Sequence, residues 1–583
     1  MSDVLFVVPA FNKSVAEECN GTLLLATILR ENGVDVDIYR YYESKQDEGF
    51  DSFVESSVYN ILLKKPKIVS FYCRGDCYIS NIRVAERIKE LNPETIIVFG
   101  GPQADLSAKE TISRIGWVDY CCSGEGETTI FPLFSGLLNK ENISHIRGLT
   151  YRNEQGEVVS NLPPDLLSDL DTLPYVDYSL LPDEIRNLIR EKHKIFNIDV
   201  GRGCPYNCAY CSTSVFWKRK FRIKSPARIA DEILRIEGMF GDGRYALDHD
   251  LFTVNKKNLY EFCKIMKEKG AGIRWACSSR ADTIDKDVIE EMVSAGMYAM
   301  YLGIETGSPR MQKLTHKNLD LDKAFETIKF LKEKKVEITA SFIYGFPEET
   351  EEDIEQTLQF AYRLLKMNIS VFQFHLCAFF PGTEYYSVYR DQLVFAQNAS
   401  DAVGDFGVKE NLDFIKANEE LFPFYFEYHS EVRDKFAKLA DLVLIVLEMY
   451  KSLSSLDNTK FGSKRLVDLY LELLEANKSV LETAEDYNYK ENALELICNY
   501  LSTVCDADEM EMYKDIFRFN YDLRMANRKK TAHSDVKTYN VDINAVLKGR
   551  PLSEIEKKPV MVFINKVGKK VSYVVKPMTA FEK

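Results

Sequence analysis

Positive charge is scarce in this chain: 75 lysines and arginines stand against 89 aspartates and glutamates, a net charge of −14 over 583 residues. That balance argues against a protein whose main task is to grip phosphate backbones, so no nucleic-acid partner is expected. The local basic run Lys218-Arg219-Lys220 has the form of a solvated loop. Long apolar runs are missing as well. The stretch "ADLVLIVLEMY", residues 440–450, falls far short of the roughly 20 residues that a membrane span needs. The opening "MSDVLFVVPAFN" has neither a positive n-region nor a small-residue cleavage site, so the expectation is a cytoplasmic protein without a signal peptide. No internal repeat or low-complexity tract is found. Thirteen cysteines in a cytoplasmic chain read as buried thiols or metal ligands rather than disulfides.

What is present is an ordinary soluble composition, 28% charged and 45% hydrophobic, in a chain too long for one core. The first 130 or so residues alternate short apolar runs with helical spacing: "DVLFVVPAF", "NGTLLLATILRENG", "VDVDIYRYY", "KIVSFYCRGD", "ISNIRVAERIKELNP" and "TIIVFGGPQ". This is the pattern of an open, doubly wound Rossmann-like α/β sheet, which takes ligands at the carboxyl ends of its strands. The stretch "SNLPPDLLSDLDTLPYVDYSLLPDE" carries four prolines and no sustained period, and reads as a connector. A second cycle of strands is expected at 196–200, 245–247, 274–278, 298–304, 337–344 and 370–376. Helical segments separate them, and Leu321, Ala324, Phe325, Ile328 and Leu331 form an apolar stripe. Six such repeats imply a partial (β/α)6 TIM-like barrel. Beyond about residue 400 the pattern turns mainly helical, and β character returns in "KPVMVFINK" and "KVSYVVKP". The fold class is α/β, with expected divisions at 1–145, 146–192, 193–400 and 401–583.

The stretch "DVGRGCPYNCAYCSTSVFW" places Cys204, Cys208 and Cys211 in a Cys-x3-Cys-x2-Cys array. A structural zinc site wants four closed ligands, and the next cysteines, Cys263 and Cys277, are isolated and more than fifty residues on. Iron–sulfur clusters also normally take four cysteines, so three on one loop leave one iron of a [4Fe–4S] cube open to a chelating ligand. The alternatives are three structural thiols or a zinc knuckle completed from afar. Polar residues recur just after the expected barrel strands, in "LDHDLF", "CSSRAD", "GIETGS" and "SFIYGFPEE", where barrel chemistry sits.

The loop "GCPYNCAYC" resembles the cluster loop of the radical S-adenosylmethionine superfamily, with Tyr210 in its aromatic slot. The resemblance implies a [4Fe–4S] cluster on Cys204, Cys208 and Cys211, S-adenosylmethionine chelated to the open iron, and its reductive cleavage with electrons from a donor such as flavodoxin or ferredoxin. It also implies that Tyr210, Ile343 and Gly345 lie near the adenine, Glu305 near the ribose, and Asp250, Ser279 and Arg280 near the methionine end. "SFIYGFPEE" departs from the family's Gly-x-Ile-x-Gly-x-x-Glu by having Ser341 first, with Ile343, Gly345 and Glu348 matching. For Asp282 and Glu348 a satisfied surface charge is an equal reading.

"VFGGPQA" and "CSGEGETTI", followed by the linker "LDTLPYVDYSLLP", resemble the cobalamin-binding domain ahead of many such enzymes. That likeness implies cobalamin contacts from Gly100, Gly101, Gly124, Glu125, Gly126 and Glu127; the alternative is a vestigial domain without cofactor. Histidine is absent before His145, so no imidazole of this domain can lie beneath the cobalt. The loops "PAFNKS" and "FYCRGDCY" would face the corrin, with Asn12, Arg74 and Asp76 as candidates for its lower face; Cys73 and Cys77 are either ligands or buried thiols. Taken together, residues 1–390 resemble the cobalamin-dependent radical S-adenosylmethionine enzymes. The resemblance implies methylation of an unactivated carbon in a peptide or small-molecule substrate. A non-methylating rearrangement, cyclisation or oxidation, and a cluster- or cobalamin-responsive sensor, are the competing expectations. Tyr344 and His375 are the substrate-facing candidates, each with a packed-core alternative, and Cys377 reads as buried.

Overall fold

The computed structural model describes residues 2–10, 20–42, 49–191, 195–241, 243–369, 371–396, 406–454, 458–483, 488–489, 492–528, 533–548, 550, 554–567 and 570–578. The chain divides into two compact units. One comprises Met1–Ile304, Lys313–Ser341 and Ser370–His429; the other comprises Glu305–Gln312, Phe342–Ile369 and Ser430–Lys583.

The first unit opens with β1 (Val4–Ala10), α1 (Asn20–Glu31), β2 (Val36–Tyr42), α2 (Gly49–Leu63), β3 (Ile68–Tyr72), α3 (Tyr78–Leu91) and β4 (Ile96–Gly100). It continues through α4 (Pro102–Leu106), α5 (Ala108–Arg114), β5 (Tyr120–Cys122), α6 (Ile130–Asn139), β6 (Leu149–Arg152) and β7 (Val158–Ser160). The sheet order is β2-β1-β3-β4-β5-β6-β7. The first five strands pair in parallel, which is why their apolar runs are buried on both faces. Leu5, Val7, Val69 and Phe71 join Phe53 and Ile82 of the helices on one face. On the other face Phe6 stacks on Phe134 of α6, with ring centroids 6.1 Å apart. The order reverses between β1 and β3, which opens a crevice at the strands' carboxyl ends.

Two differences from the expected divisions have local causes. The sheet does not stop near residue 145: β6 and β7 add two antiparallel strands. Their turn is set by Asn153, whose Oδ1 accepts from the amides of Gln155 (3.0 Å) and Glu157 (2.9 Å), and by Gly156 at φ +79°. Residues 406–429, expected in the C-terminal domain, belong to the first unit instead. Val408, Ile415, Leu421, Phe422 and Tyr425 complete the core beside Phe71 and Phe99, and Phe422 packs edge-on against Tyr78 at 6.0 Å.

After α7 (Asp183–Glu191) come β8 (Ile195–Asp199), β9 (Gly201–Arg202), α8 (Ser212–Phe216), β10 (Arg222–Ile223), α9 (Pro226–Phe240), β11 (Arg244–Asp248), α10 (Lys256–Lys269), β12 (Arg274–Ser279), α11 (Lys286–Ser294) and β13 (Met297–Glu305). Then follow α12 (Pro309–Leu314), α13 (Leu321–Glu333), β14 (Glu337–Tyr344), α14 (Glu351–Lys366) and β15 (Val371–Leu376). The strand order β15-β14-β13-β12-β11-β8 is that of an open, six-stranded βα array. The expected strand positions agree within a residue or two. Helix starts are written into the sequence: Ser225 before Pro226, Asn255, Asp285, Asp320 and Thr350 each accept an amide from the first turn. Each such cap is worth about 1 kcal/mol.

The second unit packs α14 with helices Leu439–Leu453, Leu466–Ala476, Ala493–Val504 and Ala507–Arg528. It ends in an antiparallel three-stranded sheet of His533–Tyr539, Val560–Val567 and Lys570–Pro577. No helix among the described residues is long and apolar enough to cross a membrane.

Asp353, in the first turn of α14, gathers five donors, among them Arg310 Nε at 3.2 Å. Its carboxylate also receives Ser308 Oγ (2.5 Å), Arg310 Nη2 (2.5 Å), Thr350 Oγ1 (2.6 Å) and Thr350 N (2.9 Å). Burial alone would raise its pKa, but the bonds from Arg310, Ser308 and Thr350 prevail and hold it at about 2. A carboxyl depressed in the fold stabilises above its unfolded pKa, near 3.9, and that stabilisation is lost as pH falls toward 2. Asp353→Asn is therefore expected to cost about 2 kcal/mol at pH 7, with the difference from wild type shrinking between about pH 4 and pH 2. Urea midpoints across that range check it; equal midpoints at pH 7 would refute the account.

Candidate functional site

β8 ends at Asp199, and the chain passes at once into β9, which pairs antiparallel with β10. Residues 203–221 form the loop between these two short strands, and it carries all three cysteines. Gly203 has φ +82°, and a Cβ there would lie 2.2 Å from the Lys220 carbonyl oxygen; only glycine permits this closure. The loop is held from two sides, as Ala209 N donates to Thr315 O (3.0 Å) and Ala209 O accepts from Tyr385 N (3.1 Å). Cys211 is the N-cap residue of α8.

Three of the expected residues, Tyr210, Asp250 and Arg280, lie beside these cysteines. Asp250, just past β11, lies within electrostatic reach of Cys204. Cys208 is bonded by Tyr210 and is within reach of Lys317 and Arg280. Burial pushes the Cys204 and Cys208 thiols up, while Lys317, the Tyr210 hydrogen bond and Arg280 draw Cys208 back toward the thiolate. Arg280, just past β12, lies 4.2 Å from the Tyr206 ring, donates to Lys317 O at 2.9 Å and pairs with both oxygens of Asp282 at 3.1 and 3.0 Å. Asp282 is thus a satisfied charge. The Ser279 and Thr253 hydroxyls bond at 2.5 Å. Burial, with Asp199 and Asp250 alongside, pushes Asp248 up to about 6, and burial takes His249 down to about 4.

Two arginines that sequence reasoning passed over hold the loop's base. Arg202 of β9 pairs with Glu125 (2.7 Å), Glu127 (2.5 Å) and Asp199 (3.2 Å). Arg222 of β10 reaches both oxygens of Glu125, at 2.8 and 2.9 Å, and donates to Leu167 O at 2.7 Å. Leu167 N also donates to Glu125, at 2.6 Å. The Glu125 side chain is 1% exposed. Both guanidinium groups flank the Trp217 ring, at 5.5 and 5.3 Å. The acidic pair of "GEGE", following β5, therefore ties the first sheet to the cysteine loop. The signal was in the sequence: an arginine stands directly before Gly203-Cys204, and buried arginine needs an acid.

The remaining candidates are placed as follows. Asn12 lies outside the described residues. Arg74 and Asp76 form an ion pair at 3.1 Å just beyond β3. A Cβ on Gly101 would meet Cys73 O at 2.8 Å, on Gly124 the Pro164 ring at 2.8 Å, and on Gly126 the Leu25 side chain at 3.2 Å, so protein atoms explain these glycines. At Gly100, which ends β4, the nearest atom is Cys122 Cβ at 4.0 Å, which leaves room at the sheet's carboxyl end. His375 is half-buried on β15. In the second unit, Glu305 has φ +66°, a left-handed backbone uncommon for a side-chain-bearing residue. Tyr344 is buried, its hydroxyl donating to Ala437 O at 3.4 Å and accepting from Ala440 N at 3.3 Å. Ile343 precedes it on β14. Gly345 donates to Glu349 (2.6 Å) and accepts from Arg433 (2.7 Å), and burial pushes Glu349 up to about 8.

A doubly wound sheet, then an open βα array with three cysteines at the carboxyl end of its first strand, define a two-cofactor architecture. The radical SAM superfamily model matches residues 198–361, and the B12 binding domain model matches residues 19–131. An uncharacterized methyltransferase of Pyrococcus horikoshii is 31% identical over 329 residues, which cover 55% of this chain and 69% of that protein. The anaerobic magnesium-protoporphyrin IX monomethyl ester cyclase of Rubrivivax gelatinosus is 26% identical over 302 residues, 51% of this chain and about half (54%) of the cyclase. The fold of the radical S-adenosylmethionine methyltransferase TsrM from Kitasatospora setae, with cobalamin and a [4Fe–4S] cluster bound, matches with TM-score 0.59 at 14% identity, over 90% of this chain and 100% of that one. The chain belongs to the cobalamin-dependent radical S-adenosylmethionine enzymes.

The residues present fit the family's cofactors. Among the described residues, no group of His, Cys, Asp or Glu is gathered round a single metal-ion position. Cys204, Cys208 and Cys211 are free, half-buried thiols on one loop, the soft donors that an iron–sulfur cluster takes. For cobalamin, the open carboxyl end at Gly100 offers room, and the buried guanidinium of Arg40 on β2, which no described residue bonds, offers an anion contact.

Removing one partner of a buried ion pair typically costs about 3–5 kcal/mol. Glu125→Ala is expected to lower thermal stability by that order and to speed amide hydrogen exchange across residues 203–221, leaving the sheet at 533–577 protected as in wild type. Unchanged exchange in the cysteine loop would show that Glu125 does not brace it.

Proposed function

We propose that this enzyme is a C-methyltransferase acting on an unactivated carbon of a peptide or small natural-product substrate. The observation that carries the reading is the cysteine loop, fixed at a parallel strand end and flanked by Asp250, Arg280 and Tyr210, on a unit that also contains the B12 binding domain. The naming of relatives as methyltransferases supports it.

When bound, the cluster with S-adenosylmethionine supplies hydrogen-atom abstraction, and cobalamin supplies the methyl group. This chain's residues bind and orient. Cys204, Cys208 and Cys211 would hold the cluster, which would bind S-adenosylmethionine. Arg280, kept charged and stacked by Tyr206, is the counter-ion for the carboxylate of S-adenosylmethionine. Asp199, Asp248 and Asp250 make an acidic wall suited to the ammonium and sulfonium charges. Ser279 offers a hydroxyl, and Tyr210 borders the adenine. By likeness of motif, Glu305, Ile343 and Gly345 contact the ribose and adenine. A flavodoxin or ferredoxin is the proposed reductant, and the cytoplasm the proposed compartment. The cyclase relatives favour one second reading, an oxidative ring closure with the same cofactors.

Anaerobically reconstituted protein, given S-adenosylmethionine, cobalamin and reduced flavodoxin, is expected to form both S-adenosylhomocysteine and 5′-deoxyadenosine. Cys208→Ala is expected to abolish the cluster's visible absorbance and both products. Formation of 5′-deoxyadenosine alone selects the second reading. Neither product, from protein that carries its cluster, would refute both.

A further inference from the structure

Among the described residues, none bonds the buried guanidinium of Arg40. It lies on β2, an edge strand that pairs only with β1, two residues short of the strand's carboxyl end. In the parallel register Arg40 stands beside Val8, and Ile38 beside Phe6. Side chains in register share a face, and Phe6 stacks on Phe134 of α6. Arg40 therefore belongs to the α1/α6 face, while Tyr41 turns to the opposite core with Leu5 and Val7. The residue is 6% exposed, and Nε, Nη1 and Nη2 are all buried without a hydrogen-bond partner. A guanidinium cannot shed its proton to escape burial. A buried cation without a counter-charge is among the costliest arrangements a fold can keep. Elsewhere in this unit the buried arginines Arg202 and Arg280 are paired with carboxylates.

We propose that Arg40 is the anion subsite for the phosphodiester of the cobalamin nucleotide tail, which enters the α1/α6 side of the sheet from its carboxyl end. This rests on the reading that the domain binds cobalamin. The side chains of the corrin rim are uncharged amides; outside the metal-binding ring the phosphodiester is the one fixed negative charge, and a fork of N–H donors matches its oxygens. Arg40 lies within the stretch that the B12 binding domain model matches, and at the end of the sheet where doubly wound folds take their ligands.

The test compares two corrinoids on two proteins. Equilibrium binding of hydroxocobalamin, and of dicyanocobinamide, which lacks phosphate and base, is followed by visible absorbance on full-length wild type and Arg40→Met. Wild type is expected to prefer hydroxocobalamin. Arg40→Met is expected to lose about 10- to 100-fold of that affinity with cobinamide binding unchanged, and Arg40→Lys to recover part of it. Apo Arg40→Met, relieved of an unpaired charge, is expected to melt no lower than apo wild type. The proposal falls if wild type binds the two corrinoids equally, a result that needs no variant, or if Arg40→Met weakens both alike. It also falls if the variant melts lower while its discrimination stays intact, because Arg40 is then structural. Inorganic phosphate competing on wild type while the corrinoids remain indistinguishable would assign the subsite to a free anion instead. Binding of neither corrinoid would sink the cobalamin reading and this proposal together; equal binding sinks this proposal alone.

Discussion

A three-thiolate array keeps one iron available only while the loop that carries it is held from behind and left open in front. Here the holding is electrostatic. Glu125 and Glu127, at the end of one sheet, meet Arg202 and Arg222, on the two short strands that bound the cysteine loop. Such a buried network contributes little net stability, because desolvation of the four charged groups offsets much of their attraction. What it supplies is geometry. A single carboxylate shared by two guanidinium groups, both lying over the Trp217 ring, admits few arrangements, and the loop inherits that restriction. Gly203 removes the remaining freedom by letting the two strands close to within van der Waals contact.

Charge around the loop is organised by side. Arg280 and Lys317 approach Cys208, whereas Asp250 approaches Cys204. Arg280 illustrates the cost of such an arrangement. It is oriented by Asp282 and by the Lys317 carbonyl, so its remaining donor capacity is aimed rather than free to wander. Arg40 stands at the other extreme, a buried cation that none of the described residues answers. The contrast between the two gives the domain's cofactor question a chemical form.

The second unit shows how a glycine at a strand end becomes a fixed point. Gly345 is bonded through its amide to Glu349 and through its carbonyl to Arg433, so the chain after β14 is clamped on both sides. Glu349, displaced far upward by burial, is the partner of the Gly345 amide, although Glu348 occupies the motif position.

Much of this was legible in the residues alone. The alternation of buried runs and amphipathic stripes placed the strands because burial on both faces leaves a continuous apolar signature. The spacing of Cys204, Cys208 and Cys211 marked the loop because thiols three and four residues apart can chelate from one turn of chain. Tertiary structure alone decided what joins residues far apart in the chain. Glu125 meets Arg202 across 77 positions, the aromatic segment around Phe422 completes the first core rather than a separate domain, and the Leu149–Ser160 hairpin is too short to announce itself by period. Arg40 looks like any arginine in a strand until the fold buries it. Local periodicity and ligand spacing are properties of neighbours in sequence; counter-charge and burial are properties of neighbours in space, and only the folded chain supplies those.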